Sequence, residues 1–383
     1  MRTLHLRLER PASEDAFTVW KPSLADSSVL DQAAAILRAG GTVAMPTETV
    51  YGLAANALDS VAIEKIFLAK QRPHWDPLIV HVADASMTGQ ITAKIPPAAQ
   101  CLIDTYWPGP LTLLLPRSTR IPDAVTAGRP LVGVRMPRHP VALELIRRAG
   151  LPLAAPSANL FGHISPTTAE HVLSDLDGRI DAVLDAGPTA CGVESTVLDP
   201  TQPQPTIYRP GAICAEQLAA TLTPLGLTVR AWNPATFVSE PREALPSPGV
   251  GLRHYAPRAR LVLVPAETDA MSHALGNLPV EAFPVGLLLP RNFPASASPD
   301  AWQRGNAAIH VFPWGDWLNP DSLAASLYAG LRQLDAAGCV TILAPVPAAT
   351  GIGAAIQDRL RKAATPSADA ADKSSEDSCA ALS

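Results

Sequence analysis

Residues Thr42-Val43-Ala44-Met45-Pro46-Thr47-Glu48-Thr49-Val50-Tyr51-Gly52-Leu53 turn from a short apolar run into hydroxyls and a carboxylate. Thr42 to Met45 reads as a short buried strand that runs into a polar loop at Pro46. Polar groups at the carboxyl end of a strand often line a ligand crevice in layered α/β folds. Taken alone, Thr47 and its neighbours are equally a hydroxyl-capped turn.

Upstream of this stretch, Val29, Leu30, Ala33, Ala34, Ile36 and Leu37 form one apolar helical face, and Gly40 with Gly41 supplies the stop. Downstream, a helix is expected from Val61 to about Gln71, ending before Pro73, and a strand over 78–82. Further strands are expected over 111–115, 131–135, 153–155, 181–185 and 195–198, with helices over 140–149 and 167–176. The switching between the two periods predicts an α/β layer structure over 26–213. Prolines then accumulate, and 214–258 reads as a proline-rich linker. Beyond it, four apolar strands near 261–264, 285–289, 309–312 and 341–344, with a helix over 321–336, predict a small doubly wound domain over 259–363. The Ala-, Ser- and Asp-rich stretch 364–383 reads as a disordered tail.

A chain of 383 residues exceeds what one core usually serves, so two domains are expected. A net charge of -5 leaves no general footprint for nucleic acid or an anionic membrane, so any basic cleft must come from particular residues. The five cysteines are widely spaced and form no C-x-x-C pair, which argues against a disulfide framework or a zinc site and for a reducing cytoplasm. No apolar run is long enough for a membrane span, and Met1 to Arg10 lacks the core of a signal peptide.

Several other blocks pair a strand with chemistry. Lys70 and Arg72 fall at a helix end, where they either complement the dipole or bind phosphate. His81 closes an apolar strand, as a satisfied core histidine or a ligand. Arg135 lies inside the apolar run 131–135 and needs an anionic partner, either an internal carboxylate or a ligand carboxylate held in a two-pronged bond. Ala154-Ala155-Pro156-Ser157-Ala158-Asn159 ends a strand with small residues that let a ligand approach the backbone, or caps a helix.

In order, the blocks P-T-E-T-V-Y-G-L from Pro46, K-x-R-P with P-L-I-V-H from Lys70, W-P-G-P-L-T from Trp107, V-R-M-P from Val134, A-P-S-A-N from Ala155, G-V-E-S-T-V from Gly192 and R-P-G from Arg209 resemble the YrdC-like threonylcarbamoyl-AMP synthase family. Ser247-Pro248-Gly249 and His254-Tyr255-Ala256-Pro257 resemble the linker of its two-domain members, although Val250, Gly251 and Leu252 depart from the common form. The resemblance implies an α/β fold: a twisted mixed sheet with a concave cavity, plus a smaller Rossmann-like carboxyl-terminal domain. It implies catalytic and ATP-holding roles for Lys70 and Arg72, and ATP contacts from Thr112, Ser157, Asn159, Ser165 and Arg209. It places threonine against Thr47, His81, Arg135, Ala155 and Ser195. His254 and Tyr255 act as a lid or belong to a passive tether.

The implied reaction joins L-threonine, bicarbonate and ATP into threonylcarbamoyl-AMP and pyrophosphate for threonylcarbamoyladenosine in tRNA. It brings two anions together, so cationic lining and magnesium carried with ATP matter more than a strong base, and no residue is assigned to a protein-held metal. The implied partners are the three small substrates and downstream tRNA threonylcarbamoyl-transferase proteins; tRNA binding is allowed but not required, and no membrane is involved. Two rivals are carbamoyl-adenylate chemistry of the hydrogenase-maturation type, whose zinc-finger modules this chain lacks, and an RNA-binding module, which its net acidity disfavours.

Overall fold

The computed structural model describes residues 2–9, 22–232, 245, 247, 249–250, 254–267, 269–294 and 308–365. From residue 366 the expected tail lies outside the described residues, as do 233–244, 246, 248 and 251–253 of the expected linker.

The first unit is built on strands β1 (Leu4–Arg7), β2 (Val43–Met45), β3 (Gly52–Asn56), β4 (Ile79–His81), β5 (Leu111–Pro116), β6 (Leu131–Arg135), β7 (Leu153–Ala154), β8 (Ala182–Asp185), β9 (Thr196–Asp199), β10 (Thr206–Arg209) and β11 (Arg230–Ala231). They form one mixed sheet in the order β1-β8-β2-β3-β7-β4-β6-β5-β9-β10-β11. The expected helices at 140–149 and near 167–176 appear as Pro140–Ala149 and Ala169–Leu176. The Leu24–Arg38 helix starts at Ser23, whose side chain accepts from the Asp26 backbone, and it buries Leu30, Ala33, Ala34 and Leu37 in the core.

Residues 215–231, read from sequence as linker, instead continue this unit: a helix at Ala215–Leu222 is held by Tyr106, whose hydroxyl donates to Gln217 O at 2.9 Å, and β11 extends the sheet beside β10. Proline content misled here because prolines outside the regular elements leave the helix and strand hydrogen bonds intact.

The second unit is a four-stranded parallel sheet of β12 (Arg260–Val264), β13 (Val285–Arg291), β14 (Ile309–Asp316) and β15 (Thr341–Pro345), in the order β12-β15-β13-β14. Helices Pro320–Ala336 and Gly353–Ala364 supply the core on one face, and Ala270–Gly276 covers the other. The central strands β13 and β15 are buried on both faces and read as continuous apolar runs, while the edge strands β12 and β14 are partly exposed and were legible from their apolar, β-branched and aromatic residues. The cores of the two units are not separate. Val50, Ile164 and Val193 of the first unit belong to the second unit's core with Tyr255, Leu327 and Tyr328, and each such burial stabilises the contact by roughly 1.5–3 kcal/mol. Gly192 permits the close approach, since a Cβ there would lie 2.3 Å from the Ala324 carbonyl oxygen.

Candidate active site

The loop after β2, the ends of β4 and β6, and the returning chain at 254–255 enclose a cavity of about 50 Å³. Thr47, Arg72, His81, Arg135, Ala155, Ser157, Ser195, Arg209, His254 and Tyr255 line it, all of them residues picked out in the sequence. Lys70, Thr112, Asn159 and Ser165 do not line it and stand behind the lining residues as supports. Thr49, Ile79, Glu194 and Gly249 line it without having been assigned roles, although all four sit inside quoted motifs.

Thr47 combines the two readings left open for it. Its Oγ1 donates to Val50 O at 2.6 Å and accepts from the backbone N–H groups of Thr49 and Val50, so it caps the turn from within the cavity wall.

β4 and β6 pair in parallel with His81 opposite Arg135, which sets both side chains on one face at the same level. Burial, then the Arg135 charge, push the His81 imidazole down to about 3, so it is neutral, and its Nδ1 is buried without a hydrogen-bond partner. Of the two partners left open for Arg135, the internal one is present: Nη2 lies 2.7 Å from Glu48 Oε1, Nη1 donates to Thr49 Oγ1 at 2.9 Å and Nε to Gly109 O at 3.2 Å. Gly109 belongs to the W-P-G-P turn, where a Cβ would meet the Tyr106 carbonyl oxygen at 2.3 Å. Both prongs thus hold the Glu48-Thr49 loop, while Arg135 also lines the cavity.

The Ser60–Lys70 helix ends on Gln71 in the left-handed region, turning the chain so that Lys70 points under the S-x-N loop. Lys70 Nζ donates to Ser157 O at 2.6 Å and Asn159 O at 2.5 Å. Both acceptors are neutral carbonyls, so hydrogen bonding is satisfied without cancelling charge; burial first, then the Arg72 charge, push the amine well below its usual range. Arg72 donates to Asp76 O and Pro77 O and pairs with the Asp76 carboxylate at 2.9 Å.

Across the cavity, Arg209 donates to Ser195 O and Oγ, each at 3.1 Å, and Ser195 Oγ shares a 2.8 Å bond with Thr112 Oγ1. Glu194 has both oxygens occupied: Ser165 donates to one at 2.5 Å, and Tyr328 and Arg359 of the second unit donate to the other at 2.9 and 2.8 Å. Burial pushes its carboxyl up, but the Arg359 and Arg209 charges outweigh that and hold it at about 2.

His254 and Tyr255 seal the cavity. Tyr255 is fully buried, in the left-handed region at φ 64°, stacked on Tyr328 and capped by the Arg359 guanidinium 5.1 Å from its ring centre. A side chain of this size rarely adopts that backbone conformation, so surrounding packing imposes it. His254 packs edge-on against Phe161.

A family model described as "Telomere recombination", spanning Sua5, YciO and YrdC proteins, matches residues 35–211, and one described as "Threonylcarbamoyl-AMP synthase, C-terminal domain" matches 213–365. The chain is 43% identical over 334 residues to the threonylcarbamoyl-AMP synthase of Bacillus subtilis (strain 168), spanning 87% of this chain and 92% of that one. It is 33% identical over 409 residues to the same-named protein of Schizosaccharomyces pombe, spanning 95% and 97%. The structure of P. abyssi Sua5 complexed with L-threonine is similar at a TM-score of 0.79 and 35% identity, covering 95% of this chain and 98% of that one.

Proposed function

Because this chain belongs to the threonylcarbamoyl-AMP synthase family, we propose that its buried cavity is the site where L-threonine, bicarbonate and ATP become threonylcarbamoyl-AMP and pyrophosphate. The protein is a nucleotidyltransferase that makes threonylcarbamoyl-AMP for tRNA modification. The observation that carries the site assignment is the convergence of Arg72, Arg209 and neutral His81 on one hydroxyl-rich cavity, with Lys70 directly behind its S-x-N wall.

Threonine's neutral amine captures carbon dioxide with loss of a proton, or bicarbonate with loss of water, as an N-carboxylate, and one of its oxygens attacks the α-phosphate of ATP as pyrophosphate leaves. Bringing those anions together requires fixed cations in a water-poor site. Lys70, Arg72 and Arg209 supply them, and Thr112, Ser157, Asn159 and Ser165 support the nucleotide side. Thr47, His81, Ala155 and Ser195 form the threonine side, with Nδ1 of His81 accepting a hydrogen bond from the amine or hydroxyl. Arg135 shapes that side by holding Glu48 and Thr49.

Among the described residues no three His, Cys, Asp or Glu side chains converge as a metal cage. Magnesium is the ion we assign as ATP's companion, where it would offset phosphate charge. The present cavity is far below the roughly 300–1,000 Å³ of ordinary ligand pockets. ATP thus enters only when His254 and Tyr255 move, and their return shields the labile N-carboxylate and anhydride from water.

Among the described residues no helix is long and apolar enough to cross a membrane. The cytoplasm is the compartment we assign, and a tRNA threonylcarbamoyl-transferase is the consumer of the product.

The test is pyrophosphate release by the full chain with ATP, magnesium, L-threonine and bicarbonate. Omitting bicarbonate should nearly abolish it. Equal turnover with carbamoyl phosphate in place of threonine and bicarbonate would support carbamoyl-adenylate chemistry instead.

A further inference from the structure

The Gly353–Ala364 helix of the second unit presents Arg359 and Lys362, three residues apart and so on one face, to the rim of the cavity. Arg359 is 1% exposed. Its Nε donates to Glu194 Oε2 at 2.8 Å, its Nη2 to Pro210 O at 3.0 Å, and its Nη1 to Asp358 Oδ2 at 2.5 Å. Lys362 Nζ donates to Gly249 O at 2.7 Å. Glu194 and Gly249 line the cavity, Glu194 precedes Ser195, and Pro210 follows Arg209. One helix face thus grips three segments that form the cavity wall, and its guanidinium also covers Tyr255.

Stability alone does not call for a charge at this interface. A buried ion pair can often be replaced by apolar residues of similar volume at no cost to stability. The charge has a chemical consequence here. Glu194 places a carboxylate in the wall of a cavity that must take a polyphosphate and an N-carboxylate, and an unpaired carboxylate would repel both. Paired with Arg359, it becomes a neutral handle on the neighbouring Ser195.

We propose that Arg359 is a positioning residue for threonylcarbamoyl-AMP synthesis, acting from the second unit through Glu194 and Pro210 to hold Ser195 and Arg209 in place and to cancel the carboxylate's charge toward ATP. The second unit is then a working part of the active site. This rests on the cavity being the ATP site.

The experiment compares full-length wild type, Arg359→Gln, Arg359→Lys and Tyr328→Phe by steady-state pyrophosphate release and by calorimetry of ATP binding, with thermal unfolding as the fold control. Arg359→Gln should weaken ATP binding and raise KM for ATP by about tenfold, with kcat reduced less than about threefold, as expected for an unpaired like charge beside the ligand. Arg359→Lys, which keeps the charge, should recover most of the ATP affinity. Tyr328→Phe removes one donor to Glu194 but keeps the ring stacked on Tyr255, and should raise KM for ATP by roughly twofold to fivefold at an unchanged unfolding midpoint. If Arg359→Gln fails to fold, Tyr328→Phe and Arg359→Lys carry the test. ATP affinity and KM at wild-type values in the folded variants, with only the unfolding midpoint lowered, would reduce Arg359 to an interdomain staple. Calorimetry scores ATP affinity directly, so the result is separable from a wild type that binds ATP but makes no threonylcarbamoyl-AMP.

Discussion

The Arg135 guanidinium and the Glu48 carboxylate meet at 2.7 Å with both side chains almost wholly buried. Burial pushes the Glu48 carboxyl up, and the Arg135 charge with its hydrogen bond reverses this, holding it below its usual range. The pair fixes the Thr47–Thr49 loop against β6, so an arginine that was a candidate threonine clamp also organises the hydroxyls that line the cavity.

Arg135→Lys should raise KM for threonine by about tenfold while KM for ATP changes by less than about threefold, because one ammonium cannot serve Glu48, Thr49 and Gly109 together. Arg135→Met, which leaves a buried carboxylate unpaired, should cost about 3–5 kcal/mol in denaturant unfolding. Threonine kinetics unchanged in a folded Arg135→Lys would show that the loop holds its shape without the fork.

The depressed Lys70 amine makes ATP binding depend on pH in a definite direction. Phosphate favours the ammonium form, so binding should take up protons, and affinity should fall as pH rises through the lowered Lys70 value. Calorimetry in buffers of different ionisation heat measures that uptake. Lys70→Met should abolish it and weaken ATP binding by roughly tenfold, since the S-x-N wall loses the charge and the two hydrogen bonds behind it. Equal uptake in wild type and Lys70→Met would assign the proton to another group.

His81 is held at about 3 by burial and by Arg135, so it stays neutral throughout the working pH range. Its imidazole nitrogen shifts, followed by NMR, should remain those of the neutral ring down to about pH 4, without the transition near 6.5 of an ordinary histidine. A transition near 6.5 in the folded protein would remove it as a fixed acceptor for threonine.

Tyr255→Ala should leave the first unit folded while lowering the yield of threonylcarbamoyl-AMP per ATP consumed, since the ring seals a cavity that must exclude water. Alanine keeps the Cβ that makes the left-handed region unfavourable, so no backbone strain is released and the unfolding midpoint should fall as for a typical buried tyrosine. A product-to-ATP ratio equal to wild type would make the segment a tether.

Much of the fold was legible because apolar period and helix punctuation are local properties. The Pro140–Ala149 helix and the four strands of the second unit follow from them directly. β3, Gly52–Asn56, escaped because its small side chains carry little strand signal, and the Pro97–Tyr106 and Gly353–Ala364 helices were also passed over. The ordered motif blocks identified the family, and ten of the residues given roles from them line the cavity.

By itself, the sequence determined the two layered units, the family and the residue types that reach the cavity, since each is written in short contiguous stretches. Only the tertiary structure decided which of those residues face the cavity and which, like Lys70, stand behind it, that Arg135 is paired with Glu48, and that Arg359 closes on Glu194 across 165 residues. The physical reason is that a buried charge takes whichever partner the packing brings within about 3 Å, and local period and propensity do not encode that distance.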